Sequence, residues 1–385
     1  LAIAKSTQAD QAPVEVDADL LAALEQAAFA HLHNHSQFSV LQSTISVANL
    51  VDAAAKDNMP AVAMTDHGNM MGAFHFVNKV LGHNKEVEGK RAEADANGTS
   101  YDGQPIKPIV GCEFFICENH KDKSRKDNGY QVVILAKNKK GYHNLAKMSS
   151  IAYTAGFYYV PRIDKSVVEQ YKEDLIVLSG NLQGEIPNKV LNIGEAQAEE
   201  ALLWWKEQFA DDFYMELMRH GQEDEQRVNE TLIQLAKKHQ VKLVATNNTY
   251  YVKKEDAHAH DILLCVKDGE KLSTPKGRGR GFRFGLPNQE YYFKSTAEMK
   301  SAFKDIPEAI INIQEIVDKI EIYSLHRDVL LPKFEIPDQF VKVEDDADNG
   351  KRGENAFLRH LAYEGAAKRY PEITEEIRER LDFEL

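Results

Sequence analysis

Three histidines within five residues mark the first part of the chain that could carry out chemistry. They are His31, His33 and His35 in the stretch HLHNH. Side chains two residues apart on a strand project to the same side, so His33 and His35 can present two imidazole nitrogens to one cation. His31 is interpreted instead as a buried histidine whose ring is satisfied by the backbone. A lone His-x-His pair is more often structural than metal-binding, so further ligands are needed.

Further polar residues follow the predicted strands, and they include possible ligands. The stretches are TDHGN with Asp66 and His67, GCEFF with Glu113, SGNL with Asn181, and TNNTYY with Asn248 and Tyr250. Active sites of βα barrels lie at the carboxyl ends of the strands, so these side chains are expected to meet at one mouth. Each has an ordinary alternative, because Asp66 suits a turn and Glu113 suits an ion pair. Their convergence is what favours a metal site.

The elements that must position these residues form a βα repeat that begins at Phe29. Near-continuous apolar runs alternate with amphipathic helical patterns, which is typical of a parallel sheet buried on both faces. Seven such strands favour a barrel over an open sheet. The predicted strands are 29–32, 61–65, 109–115, 132–136, 175–179, 213–217 and 242–246.

Outside this repeat, three segments have a different character. Residues 1–28 are polar and acidic and are predicted to be a linker from a segment upstream. Residues 82–108 lack periodicity and are predicted to be a mobile surface excursion. After Tyr291 the repeat stops, and the pattern predicts two helices, the second entered at Pro307, then an extended segment and a charged helix that ends at Leu385. The predicted domains are therefore 1–28, 29–290 and 291–385.

Composition excludes several functional classes. The net charge of -13 should repel a phosphate backbone, which argues against a strong autonomous nucleic-acid binder. The sequence has no apolar run long enough to span a bilayer and no export signal. Three irregularly spaced cysteines fit core residues in a reducing cytoplasm.

One local exception to the acidic character is the loop PKGRGRGFRFG, in which cations alternate with glycines. It is either a solvated surface loop or a contact for phosphate or an acidic partner. The candidate contact residues are Lys276, Arg278, Arg280 and Arg283.

Several long stretches, in order, resemble one known family. The stretches HLHNHSQFS, MPAVAMTDHGNMMGAFHF, IKPIVGCEFF, LAKNKKGYHNL, LIVLSGNLQGEIP and LVATNNTYYVKKEDAHAHDILLCV are similar to the polymerase and histidinol phosphatase (PHP) domain of the bacterial DNA polymerase III alpha subunit. The stretches YYFKSTAEMKSAFKDIPEAIINIQEIVDKI and LLPKFEIP resemble the entry into that polymerase's palm. The resemblance covers residues 29–385. It implies an α/β fold, a distorted (βα)7 barrel followed by a short α+β segment of the palm.

The resemblance also implies which residues would bind metal. In metal-competent members, nine side chains hold three metal ions for phosphoester hydrolysis. Four of these positions keep their ligands here, namely His33, His35, His67 and Glu113. The other five are substituted by Gln42, Gln131, Asn181, Asn248 and Tyr250. Amides coordinate divalent metals far less well than carboxylates, imidazoles or thiolates, and tyrosine coordinates only when ionised.

These substitutions predict a degenerate site that binds either no metal or one weakly held zinc or manganese ion. The first interpretation is therefore a catalytically silent domain that supports the polymerase and docks the proofreading exonuclease, separate or fused. The alternative is an active metal-dependent 3'-5' exonuclease or phosphoesterase. A free-standing histidinol-phosphatase-like enzyme is disfavoured by the palm-like residues after Tyr291.

The resemblance implies that the parent protein is a DNA-directed DNA polymerase using magnesium. Its catalytic carboxylates would lie beyond Leu385, so this segment would not polymerise DNA alone. The partners implied are the rest of the alpha subunit, the exonuclease, and DNA through the parent polymerase.

Overall fold

The computed structural model describes residues 17–277, 279–330, 334–341 and 351–385. It divides into two compact units, one up to His326 and one from Arg327. The domain boundary predicted at residue 290 falls inside the first unit. None of the helices within the described ranges is long and apolar enough to cross a membrane.

The first unit is built on one seven-stranded sheet. The strands are β1 (Ala61–Met64), β2 (Lys107–Cys117), β3 (Tyr130–Ala136), β4 (Arg162–Asp164), β5 (Leu175–Leu178), β6 (Phe213–Met218) and β7 (Lys242–Thr246). Their spatial order is β1-β2-β3-β5-β6-β7, and β4 pairs with the carboxyl end of the long strand β2. Every strand contains buried apolar residues, which form one continuous core with the flanking helices.

The sheet is mixed, so the prediction of an all-parallel sheet was wrong for one strand. Strand β3 runs antiparallel to both β2 and β5, whereas the other pairings are parallel. The reason lies in the connection between β2 and β3, which contains no helix that could carry the chain back across the sheet. Two neighbouring strands joined directly by a loop must run antiparallel.

The stretch that carries the histidines lies between the two ends of this sheet. On one side the Ala63 N–H donates to the His31 carbonyl over 2.9 Å, and on the other the Thr249 N–H donates to the His33 carbonyl over 3.1 Å. Residues 29–32 were predicted to form the first strand. They form no regular strand, but His31 is hydrogen-bonded to β1. These hydrogen bonds link β1 to the segment that follows β7.

Helices pack against the strands of the sheet. In the first unit they are α1 (Ala18–Gln26), α2 (Val47–Lys56), α3 (Ala73–Ala96), α4 (Lys139–Thr154), α5 (Lys165–Tyr171), α6 (Glu185–Asn192), α7 (Glu195–Phe209), α8 (Glu223–His239), α9 (Ala257–Asp268), α10 (Thr296–Ala302) and α11 (Glu308–Lys319). Helix α11 packs on β7 through a buried apolar face. The second unit contains α12 (Lys351–Arg369) and α13 (Glu375–Glu384), which match the predicted charged helical stretch.

Two segments differ from the sequence prediction. Most of the predicted surface excursion at 82–108 is helical, because α3 continues to Ala96. Its Ala, Glu and Lys residues favour a helix even without an apolar face to bury. Within the predicted linker, residues 18–26 form α1, whose Leu24 is buried. The first 16 residues of that linker lie outside the described part of the chain.

Candidate metal centre

A carboxylate surrounded by three imidazoles occupies the mouth of the barrel. Glu113 projects from β2 and is fully buried, and its Oε2 lies 2.7 Å from His35 Nε2. His67 Nδ1 lies 2.8 Å from the same oxygen but lacks the alignment of a hydrogen bond. His33 Nε2 is 3.7 Å away and has no hydrogen-bond partner within the described residues. The structure thus brings together all four predicted ligands.

The orientation of His33 is fixed by a second buried carboxylate. Glu216 projects from β6, and its Oε1 lies 2.8 Å from His33 Nδ1. The other oxygen of Glu216 accepts the Gly180 N–H over 3.0 Å, and Thr246 Oγ1 also donates to Oε1. Histidine ligands in metal sites are commonly held in this way by a carboxylate on the far ring nitrogen, which aims the near nitrogen at the metal. The arrangement leaves His33 Nε2 pointing toward Glu113.

The histidines differ in charge because their surroundings differ. Burial lowers the pKa of His33, but the carboxylates of Glu216 and Glu113 outweigh this effect and raise the pKa to about 10. Burial and the neighbouring His67 instead lower the pKa of His35 to about 3. Burial opposes ionisation of Glu113, but the three histidines outweigh it and hold its pKa well below the usual range. Without a metal, the cluster pairs a protonated His33 with buried carboxylates.

The residues present fit one divalent metal ion. The ligand atoms of His33, His35 and Glu113 all lie within 4.8 Å of one another. Ligand atoms around a tetrahedral zinc ion lie about 3.4 Å apart, since each zinc–ligand bond is about 2.1 Å. The separation of 3.7 Å between His33 Nε2 and Glu113 Oε2 matches this geometry, whereas the 2.7 Å contact of His35 is hydrogen-bond spacing. A metal would therefore have to displace a proton and move His35 by a few tenths of an ångström.

Two of the substituted positions close the cavity around Glu113. Asn181 Nδ2 donates to Glu113 Oε1 over 3.2 Å and to Gln131 Oε1 over 2.9 Å. The Asn181 Oδ1 in turn accepts the Gln183 N–H over 2.7 Å. The carboxylate oxygen that faces away from the histidines is thus engaged by a neutral amide network.

Tyr250 fills the space above the histidines. Its ring stacks on His35 at 4.4 Å between centroids, and its hydroxyl lies 3.3 Å from His67 Nε2. Burial and the nearby Glu113 raise the pKa of Tyr250 well above its usual value. A neutral phenol is a poor metal ligand, so Tyr250 acts here as a packing and hydrogen-bonding group.

Three candidate residues remain, and they are Gln42, Asp66 and Asn248. Gln42 extends toward Lys267, its Oε1 3.5 Å from the ammonium. Asp66 binds the Ser36 and Ser39 hydroxyls and the Ser36 N–H, so it holds a turn. The Asn248 Oδ1 is buried and finds no hydrogen-bond partner within the described residues.

The interpretation of His31 as a buried histidine bonded to the backbone is confirmed for Nε2, whereas its Nδ1 has no hydrogen-bond partner within the described residues. It is fully buried, and its Nε2 lies 2.7 Å from the Lys294 carbonyl. All three cysteines are buried and unpaired, as expected for core residues.

The basic loop is tied down by one of its own arginines. Arg283 is 5% exposed and forms a bidentate ion pair with Asp261, each contact 2.8 Å long. Lys276 lies 3.1 Å from the same carboxylate, whereas Arg280 is exposed. Arg278 lies outside the described residues. Arg283 is therefore committed to anchoring the loop.

Glu216 was missed by sequence reasoning, although the sequence carried a signal for it. It is the one charged residue within the apolar strand FYMELM. A charged side chain in a strand buried on both faces needs a partner, so such a residue is a candidate for the site.

Comparison with known proteins places these features in a family. A family model described as the PHP domain matches residues 31–220. The DNA polymerase III subunit alpha of Borreliella burgdorferi is 36% identical, and that of Treponema pallidum 35% identical, each over 93% of this chain and 28% of the relative. That of Aquifex aeolicus is 34% identical over 93% of this chain and 29% of the relative.

Among solved structures, similarity is weak. A candidate metal-dependent phosphoesterase from Bifidobacterium adolescentis is 12% identical and has a TM-score of 0.36, covering 72% of this chain and 96% of that chain.

The match covers only part of each relative. The chain spans less than a third of the polymerase subunits that it matches. The match nevertheless extends over nearly all of this chain and includes the segment with the histidine cluster. The chain contains a PHP domain and is homologous over nearly its whole length to alpha subunits of bacterial DNA polymerase III.

Proposed function

We propose that this chain forms the PHP portion of a DNA polymerase III alpha subunit and that its barrel no longer hydrolyses phosphoesters. The observation that carries the proposal is the amide network at the mouth. Asn181 binds the outer oxygen of Glu113 over 3.2 Å, so a neutral group stands beside the one carboxylate at the centre of the cluster.

Electrostatics supports the loss of a multi-metal site. Neighbouring divalent ions repel one another strongly, and several anionic ligands are needed to hold them together. The centre offers Glu113 alone for this purpose, since Glu216 is bound to His33 Nδ1, Thr246 and the Gly180 N–H. We infer that the site holds at most one weakly bound zinc or manganese ion.

A single bound ion would supply Lewis-acid activation of water. His33, His35 and Glu113 would hold it, and Glu216 would orient His33. Tyr250 covers His35, and Asn181 and Gln131 occupy the opposite side of Glu113. These residues restrict the space in which a water and a phosphoester could approach the ion together.

The second candidate function is an active metal-dependent 3'-5' exonuclease or phosphoesterase. One observation favours it. His33 Nε2 is buried and has no hydrogen-bond partner within the described residues, while Glu216 binds the other ring nitrogen, as in working metal sites. The two functions differ in whether the remaining ligands suffice for hydrolysis.

A hydrolysis assay separates them. The purified chain is incubated with single-stranded DNA and with a small phosphate ester, in the presence of manganese or zinc. We expect no turnover above that of a His33→Ala variant purified in parallel. Metal-dependent hydrolysis that co-purifies with the chain and is lost in His33→Ala would establish the second function instead.

We further propose that the barrel supports the magnesium-dependent polymerase and docks the proofreading exonuclease in the cytoplasm. This role rests on the resemblance of residues 29–290 to a PHP domain and of residues 291–385 to the start of the palm. Tethering explains why a weak contact suffices, since a short flexible link gives an effective concentration near millimolar. DNA would be reached through the parent polymerase.

Docking is tested by binding of the cognate exonuclease to the purified chain. The contact is expected on the outer surface of the barrel, so Gln131→Ala and Asn248→Ala should bind as well as the unmodified chain. Absence of binding at tens of micromolar would leave the domain as a support for the polymerase alone.

A further inference from the structure

A pocket with basic walls opens beside the mouth of the barrel. It has a volume of about 760 Å³ and lies between the loop of residues 118–129 and the start of α6. We call this pocket, together with loop 118–129 and the neighbouring aromatic loop 157–161, the rim surface. The cations lining the pocket are Arg125, Lys126, Lys165 and Lys189.

The pocket is lined by four cations and by three carboxylates, Glu118, Asp127 and Glu185, so positive charge exceeds negative charge by one. Lys165 and Lys189 share a single oxygen of Glu185, each at 2.9 Å, while the other Glu185 oxygen accepts from Trp205. On the opposite wall, Lys126 is exposed and has no carboxylate partner among the described residues. An anionic group could therefore be bound between the two walls.

Loop 118–129 extends this positive surface toward solvent. Lys121 and Lys123 are exposed, and neither forms an ion pair within the described residues. The acids of the same loop are engaged locally, since Glu118 pairs with Arg125, Asp127 accepts two backbone N–H groups and Asp122 accepts that of Ser124. The lysines are thus the groups of this loop that remain available to a ligand.

A buried arginine holds the backbone of the loop, so the backbone positions of its lysines are defined. Arg162 is fully buried and donates to the backbone carbonyls of His120, Asp122 and Asp127 from the loop and to that of Gly156. Preorganised charges bind a ligand at a lower conformational cost than charges on a mobile loop.

Exposed aromatic rings lie next to the lysines. Tyr159 is 64% exposed and Phe157 48% exposed, and Lys126 Nζ lies 4.9 Å from the centre of the Tyr159 ring. Tyr159 also has a backbone φ of 63°, a left-handed conformation that is uncommon for a bulky residue. Strained residues of this kind cluster at ligand-binding sites.

The rim surface is physically connected to the metal centre. Gly68, next to His67, has a φ of 65°, and a Cβ at this position would lie only 2.5 Å from Pro161 of the aromatic loop. Gln183, which lines the pocket, donates its N–H to Asn181 in the amide network. A ligand on the rim surface would therefore lie beside the mouth.

We propose that the rim surface binds single-stranded nucleic acid. Its phosphates would bind Lys126, Lys165 and Lys189, and a base would stack on the Tyr159 ring. Single-strand binding sites combine these two elements, a basic groove along the backbone and aromatic rings under the bases. This inference rests on the proposed function, because it requires DNA to be present beside the barrel.

Other ligands explain fewer of the observations. Inorganic phosphate or a phosphorylated small molecule would account for the pocket cations but not for the exposed rings. An acidic protein segment would account for the cations but does not require a solvent-facing tyrosine in a left-handed conformation. Single-stranded nucleic acid accounts for both.

The test is fluorescence anisotropy of a labelled oligothymidylate with the purified chain in a chelator. Without metal, the result does not depend on whether the barrel hydrolyses DNA. We expect binding that weakens with salt, and a Lys126→Ala variant whose slope of log K against log salt is shallower by about 0.7. Tyr159→Gly should weaken binding on the order of tenfold.

Tyr159→Gly also separates binding from folding. Glycine adopts a positive φ without strain, so the melting temperature of this variant should be unchanged or higher. Lys90 and Tyr101 form a second lysine–tyrosine contact, 5.7 Å long and away from the rim surface, which supplies matched controls. Lys90→Ala and Tyr101→Gly should bind like the unmodified chain.

Three results would overturn the proposal. We expect a dissociation constant in the micromolar range. One contrary result is no binding of the oligonucleotide at protein concentrations 100-fold above that range. Another is binding that millimolar phosphate abolishes and that Tyr159→Gly leaves unchanged, which would identify an anion pocket only. The third is equal affinity for duplex DNA, since paired bases cannot stack on Tyr159.

Discussion

The barrel contains two buried charged clusters, and their polar atoms are hydrogen-bonded to different degrees. Arg162, fully buried, donates four hydrogen bonds to backbone carbonyls and ties loop 118–129 to the sheet. The metal centre is equally buried, but His33 Nε2, His35 Nδ1 and Asn248 Oδ1 have no hydrogen-bond partner within the described residues. Folding alone rarely leaves buried polar atoms unpaired. The difference supports the proposal that the histidine cluster is a former ligand site, whereas Arg162 has a structural role.

The largest expected effect is on the structural cluster. Arg162→Ala leaves four buried carbonyls without their donor and opens a cavity, so we expect a loss of about 3–5 kcal/mol in the free energy of unfolding. Chemical denaturation measures it. Arg125→Ala is the matched control, because Arg125 is exposed and pairs only with Glu118 at the surface. A loss for Arg162→Ala no larger than that of the control would remove the contrast between the clusters.

The next effect concerns the residue behind His33. Glu216→Gln keeps the shape of the side chain but removes the charge that orients and polarises His33, so zinc affinity should fall by about 10- to 100-fold. Titration calorimetry of the metal-free protein measures this change. Glu315→Gln changes an acid bound to Lys242 and Lys319 away from the centre and should leave zinc affinity as it is. If the two variants behaved alike, Glu216 would have no role in orienting a ligand.

A smaller gain is expected when one ligand is restored. Asn248→Asp supplies a carboxylate where the resemblance implies one, and zinc affinity should rise by about tenfold. Gln42→Glu restores an acid at a second implied position, but this side chain extends toward Lys267 and should add nothing. A gain from Gln42→Glu would show that this segment rearranges when metal binds.

Much of the fold could be predicted from the sequence, because it depends on local patterns. Six of the predicted strands coincide with observed strands to within two residues at each end. The direction of β3 could not be predicted in this way, since it depends on recognising that residues 118–129 contain no helix. The short strand β4 was also missed, because three residues carry too little periodicity.

The site was predicted in part, and the errors have a common cause. His33, His35, His67 and Glu113 were brought together as expected, because β1 lies between β2 and the histidine stretch and hydrogen-bonds to both. Whether a particular side chain faces inward depends on long-range contacts that periodicity does not report. This is why the sequence did not reveal Glu216 behind His33, or Gln42 facing away.

The smallest expected effect tests the packing role of Tyr250. Tyr250→Phe keeps the ring stacked on His35 and removes only the hydroxyl 3.3 Å from His67 Nε2. Stability should change by less than about 1 kcal/mol, and zinc affinity by less than about twofold. Thermal denaturation and calorimetry measure the two quantities. A large loss of zinc affinity would mean that the phenol is a ligand.

We propose that the mouth of this barrel no longer holds a multi-metal site. Elemental analysis of the chain, after incubation with zinc or manganese and extensive dialysis, measures the number of ions that it retains. The structure predicts at most one ion per chain, removed by a chelator and reduced in a His33→Ala variant. Two or three ions per chain that survive dialysis at stoichiometric level would contradict it.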